Sequence, residues 1–250
     1  MKHLCIFCGS RANSDEHVWP KWLLRNIPQW PKDKREFKGL RTYKDGRVDG
    51  WHKTTPDLVT KNVCKGCNGG WMSNLEKTAQ HILCPMINGE EATLTKKQQH
   101  TMALWTIKTG MVLDSMPAAK ENIFYEEQDR FHFCKTLLPP GYLTFWLGHY
   151  SGTHWSVFTN QRILSTEGCV PQYRSYILTM AFGRLVIQLA NTKLTPITDN
   201  FAVELPIKKG EWGIIEFGPP FHSLQWPPSG PSFDDSERQL QAFSERFGGY

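Results

Sequence analysis

Four of the seven cysteines stand in two Cys-x-x-Cys pairs, a spacing that is typical of a metal site. The pairs are Cys5/Cys8 and Cys64/Cys67. Four thiolates arranged in two such turns suit a tetrahedral Zn²⁺ ion. The 55 residues between the pairs (64 − 8 − 1) exceed the roughly 15–20 of a plain zinc ribbon, but a bound metal closes the longer loop. Because a site of four thiolates leaves no position for water, we expect this zinc to be structural.

Polar residues of the kinds used in hydrolysis lie beside both pairs. Glu16 and His17 follow the first pair, and Asn68 directly follows the second. Taken alone, Glu16-His17 is an exposed, solvated dipeptide, and Asn68 before two glycines is a turn or helix-capping residue. A zinc ion that joins the two pairs would bring these residues together, and this favours a functional interpretation.

The order of these motifs resembles the HNH endonucleases, which have the ββα-metal fold. The matching pattern is Cys5-x-x-Cys8, Glu16-His17-x-x-Pro20 and Val63-Cys64-x-x-Cys67-Asn68, and it is most similar to the four-Cys branch that includes enzymes of the endonuclease VII type. Residues 67–76 are also similar to a signature of small bacterial HNH proteins. The resemblance covers roughly the first 80 residues. It implies that Glu16 and Asn68 bind a catalytic Mg²⁺ or Mn²⁺ ion and that His17 is the general base.

Two positions depart from the family pattern. Aspartate is the commoner metal ligand where this chain has Glu16, and Asn62 is out of register with the central asparagine of the H-N-H triad. The chemistry nevertheless agrees with the resemblance, because an imidazole that titrates near neutrality is a natural base for activating water. One carboxylate and one amide oxygen suit Mg²⁺, which keeps several waters and takes further ligands from a phosphate.

The sequence therefore predicts a metal-dependent endonuclease that hydrolyses DNA, in a phage-defence or mobile-element setting. A zinc-stapled nucleic-acid-binding module without catalysis is the alternative, and a sensor or partner-binding role for the C-terminal region is a third hypothesis. RNA as a second substrate and a homodimer are left open. The net charge of +5 is compatible with a polyanionic partner. The start of the chain lacks a signal-peptide pattern and the chain lacks a long apolar run, so we expect a cytoplasmic protein without membrane association.

Basic residues interleaved with aromatic ones follow the Glu-His dipeptide. They could contact backbone phosphates, although a solvated polar loop is equally consistent with this composition. The candidate contacts are Lys21, Arg25, Lys34, Arg35 and Arg41.

The elements that would position these residues indicate an α+β fold. We predict an N-terminal zinc-stapled ββα-metal (HNH) module over residues 1–94. A helix and a mostly antiparallel β unit with a terminal helix would follow over residues 95–250. The Asp45-Gly46 turn predicts a hairpin. Ser73-x-x-Glu76 and Thr95-x-x-Gln98 are capping boxes that predict two helices, ended by Pro85 and Pro117.

From about Asn122 the pattern changes to strands, arranged in an antiparallel meander. A pair hinged near Gly183 is the clearest of them. The predicted strands are 142–147, 154–158, two within 176–190, 202–206 and 213–217, followed by a proline-rich loop at 219–231 and a helix at 234–247.

Overall fold

The computed structural model contains both helices and strands, with most of the described helices before residue 137 and a run of strands after it. It describes residues 3–26, 37–53, 57–116, 123–152, 155–164, 172–195, 213–218, 222–234 and 237–247. The strands are β1 (Ser14–His17), β2 (Phe37–Thr42), β3 (Val48–Lys53), β4 (Val59–Val63), β5 (Ala92–Leu94), β6 (Tyr142–His149), β7 (Trp155–Leu164), β8 (Gln172–Phe182), β9 (Leu185–Thr195), β10 (Ile214–Phe217) and β11 (Leu224–Trp226). The helices are α1 (Lys21–Asn26), α2 (Lys65–Cys67), α3 (Ser73–Asn88), α4 (Lys96–Asp114), α5 (Glu127–Thr136) and α6 (Glu237–Glu245). The α+β class is confirmed.

Two antiparallel strands and a helix surround the cysteines. β1 pairs with β4, and the chain then passes through α2 and a π-helical turn (Asn68–Met72) into α3. Helix α3 begins at Ser73, where a helix was predicted to open. Ser73 itself has helical torsion angles and Met72 precedes the helix without a side-chain cap, so the predicted capping box at Ser73 is wrong. Gly70 alone departs from helical torsions within the turn, at φ −97° and ψ −113°.

Helix α3 also ends later than predicted. It continues through Pro85 to Asn88 and stops at Gly89, whose left-handed φ of 81° suits the residue after a helix. Pro85 removes one helical hydrogen bond, but Met86 and Ile87 are fully buried, and this packing carries the helix past the proline. The predicted end at Pro85 is therefore wrong.

Helix α4 runs through the centre of the fold. Its predicted capping box is confirmed, with Thr95 Oγ1 accepting from the Gln98 backbone N–H at 3.3 Å and Gln98 Oε1 accepting from the Thr95 N–H at 2.8 Å. Every residue from Thr101 to Asp114 is buried, as expected for a helix covered on all sides. None of the described helices is long and apolar enough to cross a membrane.

A seven-stranded sheet covers α4. Its order is β10-β6-β9-β8-β7-β2-β3, antiparallel except where β2 runs parallel to β7. The hinge at Gly183 and the hairpin at Gly46 are confirmed, and both glycines have positive φ. The sheet is not a simple meander, because β6 pairs with β9. Helix α5 occupies a region where strands were predicted, and residues 202–206 lie outside the described residues.

Strands from both parts of the chain build this sheet. β2 and β3 come from between the two cysteine pairs, whereas β6–β10 follow residue 94. The division into residues 1–94 and 95–250 stays a prediction, and the sheet crosses that boundary. Helix α6 covers the face opposite α4, with Asn160 Nδ2 donating to Ser244 Oγ at 2.8 Å and Gln188 Nε2 donating to Phe243 O at 3.2 Å.

Candidate metal centre and the surrounding site

The four predicted cysteines converge on one point. Their sulfur atoms lie within 4.8 Å of one another, and Cys8 Sγ is 3.6 Å from Cys64 Sγ. Zinc–thiolate bonds of about 2.3 Å in a tetrahedron place sulfurs about 3.8 Å apart, so this cluster fits a Zn²⁺ ion. The prediction that Cys5, Cys8, Cys64 and Cys67 could hold a metal is confirmed.

Tight turns and aromatic packing hold the two cysteine pairs together. The first pair lies in a turn in which the Cys5 N–H donates to Ser10 O at 2.7 Å. The second begins α2, where Cys64 Sγ accepts from the Cys67 N–H at 3.3 Å. Phe7 of the first turn packs edge-on against Trp71 beyond the second, with ring centroids 5.1 Å apart. This contact adds apolar packing between the two cysteine turns, which a bound metal would also cross-link.

Burial and hydrogen bonds set the protonation of these thiols. Desolvation raises the pKa of the Cys5 and Cys67 thiols, so both would stay protonated at neutral pH without a metal. At Cys8 burial acts in the same direction, but hydrogen bonds from Ser10, Cys64 and Cys67 outweigh it and lower the pKa to about 6. A Zn²⁺ ion would stabilise all four thiolates.

Strand β1 places Glu16 and His17 on opposite sides. Glu16 is 3% exposed and faces the core, whereas the His17 side chain is 24% exposed. This alternation follows from the pleat of a strand. His17 Nε2 lies 3.7 Å from Oδ1 of Asp57, which stands two residues before the start of β4. The outward imidazole thus has a carboxylate beside it that can orient the ring.

The Glu16 carboxylate contacts a buried lysine. Lys108 Nζ of α4 lies 3.5 Å from Glu16 Oε1 and 2.7 Å from Glu76 Oε1, and the Lys108 side chain is 0% exposed. Burial raises the pKa of Glu16 against the opposing effect of Lys108. Burial acts to lower the pKa of Lys108, but the two carboxylates outweigh it and leave the pKa above its ordinary value.

Asn68 lies against β1 on the side of the cysteines. Its Nδ2 donates to Ser14 Oγ and to Asp15 O, each at 3.3 Å, and its own N–H donates to Cys64 O at 3.0 Å. The structure therefore brings Asn68 to the strand that carries Glu16 and His17. The contacts of the Asn68 amide and of the Glu16 carboxylate nevertheless go to different partners, so a shared metal ion stays a prediction.

The basic residues fall into three groups. Lys21 and Arg25 are exposed on α1. Arg41 is 5% exposed and donates to Leu113 O at 2.7 Å, so its proposed phosphate contact is corrected to a buried structural role. Its place on β2 beneath α4 explains this burial. Lys34 and Arg35 lie outside the described residues.

Three residues of the site were missed from the sequence. Asp57 carries no local signal, and Glu76 was interpreted as part of a capping box. Lys108 had a signal, because it is a lone charge within the apolar stretch from Met102 to Val112. Charged residues are rarely fully buried unless they are paired, so such a lysine indicates a buried partner.

Comparisons with protein families, with curated proteins and with solved structures find no match to this chain. The proposed function therefore depends on the geometry of the site.

Proposed function

We propose that this chain is an HNH-type endonuclease that hydrolyses phosphodiester bonds of DNA, with His17 as its general base. The observation that carries the proposal is the outward His17 imidazole, 3.7 Å from Asp57, on a strand joined to the four-cysteine cluster. Two antiparallel strands followed by a helix around these cysteines agree with the ββα-metal resemblance.

His17 and Asp57 can act as a base and its orienting partner. In the proposed reaction, His17 takes a proton from water as the water oxygen bonds to phosphorus and the bond to the leaving sugar oxygen breaks. The leaving sugar oxygen takes a proton from solvent and departs as a hydroxyl group. Asp57 stabilises the imidazolium that forms and holds the ring in a productive orientation. The half-exposed position of Asp57, at 52% of its side chain, lets solvent weaken this effect until bound DNA excludes water.

The two expected metals differ in how well the residues fit them. The four sulfurs fit a structural Zn²⁺ ion, held by Cys5, Cys8, Cys64 and Cys67. A catalytic Mg²⁺ or Mn²⁺ ion stays part of the proposal, since a phosphate-bound cation would neutralise charge at the scissile bond. Glu16, however, is buried against Lys108 and does not fit as its ligand.

A zinc-stapled DNA-binding module without catalysis is the second candidate. The engagement of Glu16 by Lys108 favours it, because a predicted metal ligand is committed to a contact within the core. Exposed Lys21 and Arg25 would serve either function. RNA as a substrate, a homodimer and a cytoplasmic location stay hypotheses, as does a partner-binding role of the C-terminal region.

Cleavage of supercoiled plasmid separates the two candidates. The wild-type protein is expected to nick or linearise the plasmid with Mg²⁺ or Mn²⁺, and His17→Ala is expected to lose at least 100-fold in rate, as for removal of a general base. Asp57→Asn should retain partial activity. Equal rates for wild type and His17→Ala at equal zinc content would refute the proposal, and DNA binding without cleavage would support the second candidate.

A further inference from the structure

Lys108 is a charged side chain in the middle of the core. Its side chain is 0% exposed, and it lies on the stretch of α4 whose residues are all buried. An unpaired ammonium in such a place would cost several kcal/mol. Two carboxylates meet it instead, Glu16 from β1 and Glu76 from α3. The charge cluster of Lys108, Glu16 and Glu76 therefore joins three separate elements.

The position of Glu16 in this cluster constrains the side-chain direction of the next residue, His17. Successive side chains of a strand point to opposite faces, so a Glu16 held inward fixes His17 on the outer face. The pairing of β1 with β4 agrees, with Glu16 opposite buried Thr60 and His17 opposite exposed Val59. The ion pair between Lys108 on α4 and Glu16 on β1 thus sets the direction of the His17 side chain.

We propose that Lys108 is a positioning residue, and that Glu16 is the anchor through which it holds His17 rather than a ligand of the catalytic metal. The role of His17 in this inference rests on the proposed nuclease function. The anchoring of Glu16 does not, because it follows from the burial and contacts of the charge cluster. The cation beside the Glu16 carboxylate is the ammonium group of Lys108.

A double-mutant cycle tests the anchor. Lys108→Met leaves Glu16 buried without a cation, so we expect its equilibrium constant of unfolding to rise at least 100-fold. Adding Glu16→Gln removes the unpaired carboxylate and should recover at least tenfold of that loss, measured by urea unfolding at neutral pH. Lys97→Met, at an exposed lysine of the same helix, is the matched control and should change the constant less than threefold. If Lys108→Met and Glu16→Gln have additive effects on the free energy of unfolding, the proposal that Lys108 anchors Glu16 is wrong.

A second cycle covers the case in which Lys108→Met does not fold. Glu16→Gln and Glu76→Gln each leave Lys108 one carboxylate, whereas the double variant leaves none. We expect the double variant to be destabilised at least tenfold more than the product of the single effects. If the unfolding constant of the double variant lies within twofold of the product of the single effects, the proposal that Lys108 anchors Glu16 is wrong.

Binding of Mn²⁺ tests whether Glu16 is a ligand. Free Mn²⁺ is measured by electron paramagnetic resonance with zinc-loaded protein and duplex DNA. We expect Glu16→Gln to bind Mn²⁺ within twofold of wild type, or neither protein to bind it. A loss of tenfold or more in the folded Glu16→Gln protein, with none in the exposed control Glu91→Gln, would overturn the inference.

Single-turnover cleavage tests positioning. With the protein in saturating excess over DNA, folded Lys108→Met should cut at least tenfold more slowly than wild type, while the protein concentration that gives half the maximal rate stays within twofold. A loss that merely follows the folded fraction would reduce Lys108 to a structural role and overturn the positioning claim. Absence of cleavage by wild type would refute the proposed function instead, and the unfolding and Mn²⁺ measurements would still decide whether Glu16 is an anchor.

Discussion

Replacing Cys67 by serine is expected to release the zinc and to lower the stability of the fold. The substitution removes one of four sulfurs that lie within 4.8 Å of one another. Hydroxyl oxygen is a much poorer zinc ligand than thiolate, and the remaining three ligands bind the metal less tightly. The cross-link between the two cysteine pairs would then be lost.

The length of the loop gives the size of the effect. The pairs enclose 55 residues (64 − 8 − 1). The entropy relation for cross-links gives about 4 kcal/mol for such a loop at 25 °C. With an unfolding entropy of about 2.1 cal/mol/K per residue, a chain of 250 residues should lose about 8 °C in Tm. The loss of about 4 kcal/mol is a large fraction of the roughly 5–15 kcal/mol by which domains are stable.

Calorimetry together with metal analysis measures this prediction. Wild type should contain one zinc per chain, and Cys67→Ser should contain much less and melt about 8 °C lower. Cys84→Ser is the control, because this half-buried cysteine of α3 is outside the cluster. A Cys67→Ser protein that keeps a full zinc, or that melts at the temperature of Cys84→Ser, would refute the reasoning.

Two further predictions concern the core. Burial raises the pKa of Asp114 to about 6 from 3.8, against the hydrogen bonds from the Tyr125 and Phe124 N–H groups. The folded state therefore binds the proton more tightly, and stability should fall by about 3 kcal/mol as the pH rises from about 3 to 7. Asp114→Asn should remove this slope in urea unfolding at several pH values. A Cβ at Gly39 would lie 1.9 Å from Trp51, so Gly39→Ala should cost about 2 kcal/mol in urea unfolding, and a loss below 0.5 kcal/mol would contradict this.

The sequence predicted local features where a single physical rule decides them. The spacing of the cysteines located the metal cluster, and the Thr95 box located the start of α4, because thiolate coordination and capping depend on close neighbours. The same reasoning failed for the capping box at Ser73 and for the end of the helix at Pro85. There the helix is held by buried residues such as Met86, and tertiary packing outweighs a local signal.

Long-range contacts explain what the sequence did not reveal. The partner of Glu16 is 92 residues away on α4, and no local pattern specifies it. Arg41 resembled a surface cation by composition, but the pairing of β2 with β7 carries it beneath α4. The pairing of β6 with β9 likewise depends on how the sheet closes over α4, which the order of the strands did not determine.

Single-turnover cleavage of an end-labelled DNA duplex decides whether His17 is the general base of a nuclease. Zinc-loaded wild type with Mg²⁺ or Mn²⁺ is compared with His17→Ala and with the control His81→Ala, whose histidine is exposed on α3. The account predicts cleavage by wild type and His81→Ala, and a rate at least 100-fold lower for His17→Ala at the same zinc content and melting temperature. Equal cleavage by all three proteins would contradict it.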